Sequence, residues 1–156
     1  MAIFHLFHIL SLSYYLPHEF RSDWVVNDVA GNFSVTLIDV LDTFVVMNDR
    51  RGFAQAVQNV INAVPSFDLD SRPQVFETNI RVLGGLLAGH QFASNPRHRF
   101  HLKWYRGEVA IYISLFFFDS EGSAIVQLLT LAYDLGLRLL PAFETPTGIP
   151  YARVTS

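Results

Sequence analysis

Apolar residues recur at helical spacing in one stretch of this chain after another, and no stretch carries a convincing strand pair or hairpin signal. In "NFSVTLIDVLDTFVVMND", from Asn32, Leu37, Leu41, Phe44 and Val45 share one face. Asp39 and Asp42, three apart, are neighbours on another. Aspartate is a poor helix-interior residue, so each calls for a partner: a hydrogen bond to another helix, or partial exposure. In "FAQAVQNVINAV", opened by Gly52, the apolar face is Phe53, Val57, Val60, Ile61 and Val64. Gln55, Gln58, Asn59 and Asn62 make the wet face, and Pro65 stops the helix. A third helix is expected over 73–92 and a fourth over 121–140, ending at Pro141. Between them lie the turn-rich loops "SFDLDSRP" and "ASNPRHRFHLK", and an ordered loop, "FETPTGIPYARV", follows. The fold class is all-α, built of stacked helical hairpins.

The third helix, "QVFETNIRVLGGLLAGH" (74–90), is apolar except for an acid, Glu77, and a base, Arg81, one turn apart. On a helix Glu77, Arg81, Gly84 and Ala88 form one stripe. Beside it Phe76, Ile80, Leu83 and Leu87 form an apolar stripe expected to face a core. Glu followed by Arg at i,i+4 is also an ordinary helix pair, and Gly84–Gly85 also suits close helix packing. Alternatively, small residues beside a carboxylate and a guanidinium leave a groove in which both could act on a ligand. One carboxylate is half of a glycosidase pair.

Composition narrows the function classes. Of 156 residues 51% are hydrophobic and only 16% charged, greasier than a small domain requires and suited to a slice of a larger body. A net charge of −3 without a Lys/Arg run argues against a nucleic-acid partner. The absence of cysteine excludes disulfides and thiolate metal sites, and the six histidines show no HExxH spacing. The apolar start, "MAIFHLFHILSLSYYL", lacks a basic leader and a small-residue cleavage site and is short for a membrane span. Residues 1–24 are therefore left unassigned, with a weak signal or anchor as one reading.

"QVFETNIRVLGGLLAGH", "GNFSVTLIDVLDTFVVM" and "LGLRLLPAFETPTGIPYARV" resemble, in this order, segments of glycoside hydrolase family 47, the α-1,2-mannosidases. "NDVAGNFS" and "SFDLDSRPQVFE" look most like its EDEM members, which trim mannose from misfolded glycoproteins in the endoplasmic reticulum. The resemblance covers residues 25–108 and 128–155. It implies a partial (α/α)₇ barrel and an inverting, calcium-dependent exo-mannosidase. It implies Glu77 as the general acid and Arg81 beside the sugar in the −1 subsite, holding hydroxyls or biasing the acid. Thr147 and Gly148 either touch sugar or shape their turn. The implied partners are high-mannose N-glycans on misfolded glycoproteins, together with quality-control proteins of the endoplasmic reticulum. Asn32-Phe33-Ser34 is a glycosylation sequon, and in a lumenal protein Asn32 would be its acceptor.

Residues 25–156 are thus expected to be the N-terminal part of a family 47 catalytic domain. The family's base, its remaining carboxylate and the threonine that anchors calcium have no counterpart here. Residues 109–127, "VAIYISLFFFDSEGSAIVQ", match nothing in the family; without them the flanks join as one family helix. A retained intron translated in frame explains them, and a lineage-specific insertion is the alternative. Three functions compete: a truncated, inactive portion of a mannosidase, a non-catalytic mannose-binding adaptor, and a mis-spliced product without function.

Overall fold

The structure, a computed structural model, describes residues 33–105 and 127–155. The N-terminal segment 1–24, the sequon residue Asn32 and residues 109–126 of the expected insert lie outside the described residues. The described residues are helical, and their one β-type contact is an isolated antiparallel bridge between Gln74 and Arg153.

Helix α1 (Val35–Asp39) and helix α2 (Leu41–Val46) follow one another with a break at Val40, where ψ opens to −8°. The break changes the setting of both aspartates. Asp39 ends one helix, and Asp42 lies exposed in the first turn of the next, where the helix dipole favours a negative charge. Asn48 then turns the chain with φ 57°, a left-handed conformation that asparagine tolerates better than most residues. Asp49 caps helix α3 (Arg50–Ala63) by accepting the Gly52 N–H at 2.9 Å. The helix therefore opens at Arg50, two residues before the glycine from which the sequence placed it. Its apolar face is buried as expected, with Ile61 only partly covered. Its wet face is laced by Gln55–Asn59 and Gln58–Asn62 hydrogen bonds of 3.0 and 3.1 Å.

The third expected helix is a run of three segments: α4 (Val75–Glu77), a π-helix (Thr78–Leu83) and α5 (Gly84–Ser94). Helix α6 (Leu128–Leu139) passes into a 3-10 turn, Leu140–Phe143, that contains Pro141. The segment after it returns to the start of α4, where the Val75 N–H donates to Ala152 O at 3.0 Å and Arg153 donates to Arg72 O at 2.8 Å. Helix α5 packs on α6 and α2, α2 packs on α3, and α1 lies against the π-helix. Phe53 sits in the core with Phe92 and Phe100 edge-on to it at 6.5 and 5.5 Å.

One expected face is largely reversed, with only Leu83 of its four residues packed against the core. Phe76, Ile80 and Leu87 are 66%, 48% and 44% exposed and do not face the core. The buried line is Val75, Thr78, Val82, Leu86, Gly89 and Ala93. Both lines have helical period, so periodicity alone could not separate them. Close approach decides between them. A Cβ on Gly85 would lie 2.9 Å from Ile38 Cγ2 and 3.0 Å from Ile38 O. One on Gly89 would lie 2.7 Å from Leu41 Cδ1 and 3.0 Å from Leu128 Cδ1. The bulkier line could not let the neighbouring helices come so near.

The paired glycines are thus not equivalent. At Gly84 an added Cβ would meet nothing closer than Asn79 O at 3.7 Å. Gly84→Ala should be neutral or stabilising by up to about 1 kcal/mol through helix propensity. Gly85→Ala must push on backbone and should cost about 1–3 kcal/mol. Urea midpoints followed by circular dichroism test the contrast; equal midpoints for the two variants would remove the close-approach argument.

Candidate active site

Glu77 closes α4, and Arg81 follows one turn later inside the π-helix. A π-turn accommodates an extra residue and occurs often at functional sites. Arg81 Nε donates to Glu77 Oε2 at 2.5 Å, and Arg81 Nη1 donates to Asp39 Oδ2 at 3.1 Å. The guanidinium is therefore held between an acid of its own helix and an acid of α1. The charge-assisted hydrogen bond to Glu77, then that to Asp39, raises the Arg81 pKa above its ordinary value.

The cluster is open. The Arg81 side chain is 49% exposed, with Asp39 and Glu77 also partly in solvent. A guanidinium has five N–H donors, and two are engaged here, leaving three without a protein partner among the described residues. One oxygen of each carboxylate is also without a protein partner among the described residues. The position over Gly84 is open, with Asn79 O the nearest atom to an added Cβ at 3.7 Å. Donors and acceptors a few ångströms apart, held in fixed directions, complement a ligand rich in hydroxyls.

Thr147 and Gly148 are exposed in the segment that leads back to the Gln74–Arg153 bridge. The Thr147 hydroxyl accepts the Ile149 N–H at 3.4 Å, and Gly148 has φ 75°, a value that favours glycine. Both residues therefore shape the turn, and no hydrogen bond joins either to Glu77 or Arg81 among the described residues. Among the described residues Asp42 forms no ion pair with Arg81; the second acid that does is Asp39, of which the sequence indicates only the need of a partner.

A second arginine cluster escaped sequence reasoning. Arg138 Nε donates to Asp134 Oδ1 at 2.9 Å, and Arg138 Nη1 donates to Asp68 Oδ1 at 3.1 Å. Asp134 also accepts the Phe67 N–H at 3.0 Å. The i,i+4 spacing in "YDLGLRLL" was a visible signal, whereas Asp68 is brought in only by the fold. This cluster fastens the loop after α3 to α6. Arg138 is only 25% exposed, half as open as Arg81.

Among the described residues no three His, Cys, Asp or Glu side chains are grouped so as to hold a metal ion. None of the described helices is long and apolar enough to cross a membrane.

Among the described residues, then, the chain is helical and presents an open acid–arginine–acid cluster on adjoining helices. Its sequence matches the model of glycosyl hydrolase family 47 over residues 14–156, and the chain belongs to that family. It is similar to the ER degradation-enhancing alpha-mannosidase-like protein 1 of Schizosaccharomyces pombe, at 49% identity over 83% of this chain and 14% of the relative. It is also similar to the human ER degradation-enhancing alpha-mannosidase-like protein 3, at 43% identity over 83% of this chain and 12% of the relative. Alpha-mannosidase I MNS5 of Arabidopsis thaliana is 40% identical over 76% of this chain and 17% of the relative. The chain thus spans between 12% and 17% of the length of these relatives.

The two clusters should behave differently on substitution. Asp134→Ala leaves the Phe67 N–H and Arg138 without their acceptor and should lower stability by about 1–3 kcal/mol. Asp68→Ala, at the exposed end of the same cluster, should cost under about 1 kcal/mol. Thermal unfolding of the two variants checks the order, and a larger loss for Asp68→Ala would refute the tethering role of Asp134.

Proposed function

We propose that this chain supplies the acid side of an inverting α-1,2-mannosidase site, completed by polypeptide beyond these residues. The observation that carries the reading is the open Glu77–Arg81–Asp39 cluster, lying within the stretches that resemble the family's segments. Glu77 protonates the leaving glycosidic oxygen. Arg81 offers its remaining N–H groups to hydroxyls of the terminal mannose. A carboxylate from elsewhere in the longer polypeptide activates the water, at the separation of about 6.5–9.5 Å that inversion requires. Thr147 and Gly148 border the sugar through the turn they shape.

The substrates are high-mannose N-glycans of misfolded glycoproteins in the endoplasmic reticulum, with quality-control proteins of that compartment as partners. The names of the relatives, ER degradation-enhancing alpha-mannosidase-like protein and alpha-mannosidase I, support the compartment and a mannose-containing substrate. In a lumenal protein Asn32 would itself accept an N-glycan. Residues 25–156 form the first part of the catalytic domain, from which residues 109–127 depart as an insert. The resemblance implies calcium. The described residues provide no donor set for it, so calcium enters as a component of the assay, and no step is derived through it.

A second reading is a mannose-binding adaptor without hydrolysis. The free guanidinium donors favour it as much as they favour an enzyme, since binding needs Arg81 but no acid.

Mannose release from a high-mannose N-glycan, with calcium present, separates the two. In a polypeptide that carries this chain with the rest of its catalytic domain, Glu77→Gln should lower kcat by about 10²–10⁴-fold, the share of a general acid. The 156-residue chain alone should release nothing. Wild-type release by Glu77→Gln would remove the acid assignment. Glycan binding without release, in wild type and variant alike, would establish the adaptor.

A further inference from the structure

Asp39 comes from a different helix and lies 42 residues before the arginine it holds. Its neighbour Ile38 is fully buried and packs against Gly85, one turn beyond Arg81 on the π–α5 run. Two backbones are thus fixed against each other beside a side-chain pair that is itself largely in solvent. An exposed ion pair of this kind contributes little to stability. What it does fix is direction. With Nε on Glu77 and Nη1 on Asp39, the plane of the guanidinium is set by two acceptors, and its remaining N–H groups point where neither acid stands. With Glu77 alone, the side chain could swing about that one contact.

We propose that Asp39 is a positioning residue of the mannosidase site: it orients Arg81 toward the hydroxyls of the bound sugar and leaves Glu77 in place beside it. The inference rests on the functional reading of Glu77 and Arg81 given above. Asp39 touches no sugar and transfers no proton. It contributes to substrate binding through Arg81, and therefore to KM more than to kcat.

The test compares Asp39→Asn, Asp39→Glu, Glu77→Gln and a control, Asp42→Asn, in the polypeptide that carries the complete catalytic domain. A high-mannose N-glycan with calcium is the probe for mannose release and, separately, for equilibrium binding. Asp39→Asn should raise KM about tenfold while kcat stays within about threefold, as expected when an oriented contact is loosened. Its melting temperature should match wild type. Asp39→Glu, one methylene longer at an exposed site, should restore KM to within about threefold. The Arg81 Nε–H resonance should shift in Asp39→Asn and not in Asp42→Asn.

Loss of release in Glu77→Gln with wild-type KM in Asp39→Asn overturns the role of Asp39 and leaves the acid standing. A raised KM in Asp39→Asn beside full activity in Glu77→Gln upholds Asp39 and overturns the acid. A drop in melting temperature that accounts for the loss in Asp39→Asn, with no rescue by glutamate, makes the residue merely structural and overturns the proposal. If wild type binds glycan without releasing mannose, the binding constant decides: weaker binding by Asp39→Asn upholds the positioning role, and unchanged binding overturns it.

Discussion

Gly85 has no side chain, and Ile38 stands where one would be, with its carbonyl oxygen 3.0 Å from the position of the missing Cβ. That contact brings α1 against the π–α5 run at close range. Gly89 repeats it one turn further on, against Leu41 of α2 and Leu128 of α6. The helical core is assembled along this seam, with Ile38, Leu41, Leu86 and Leu128 all fully buried beside it. The seam also sets the site. Asp39 follows Ile38 directly, and Arg81 precedes Gly85 by one turn, so the packing that buries the first pair places the second within hydrogen-bond reach. Glycine in a helix interior costs about 1 kcal/mol against alanine. Here the cost is offset by burial on both sides of the seam.

Much of this was written in the residues, though not all in the right place. The helical periods of 53–64 and of the stretch around Glu77 gave the elements and the i,i+4 acid–base pair. The glycines announced either close packing or open space, and the structure divides the two roles between Gly85 and Gly84. The buried face of the third helix is not legible in the sequence because two apolar lines share the same period. Bulk pointed to Phe76 and Ile80, whereas burial went to the line with the smaller Thr78 and Gly89, which permits the nearer approach. No count of hydrophobic residues distinguishes these cases, since the deciding quantity is the distance between backbones.

Asp39 shows a different limit. Its helical position argued for a partner, and the partner lies on another helix, as one of the two alternatives required. Which residue that is depends on the packing of Ile38 on Gly85, which sets α1 beside Arg81. Without the break at Val40 Asp39 and Asp42 would share one helical face. With it, Asp42 opens α2 in solvent while Asp39 turns toward Arg81.

The two arginine clusters show why spacing alone does not assign a role. Glu77–Arg81 and Asp134–Arg138 have the same i,i+4 geometry, and each gains a second acid from a distant segment. At Arg138 burial acts against the charge, and the paired acids more than offset it, so the guanidinium stays charged. Asp134 spends its second oxygen on a backbone N–H, which commits that cluster to holding a loop. Around Arg81 the second oxygens and three N–H groups have no protein partner among the described residues, in a half-exposed setting. Unsatisfied capacity in a fixed frame is what a polyhydroxylated ligand can use, and satisfied capacity is what a fold can use. The two clusters in this chain therefore differ in their remaining hydrogen bonds, and the difference follows from the backbone N–H that Asp134 accepts.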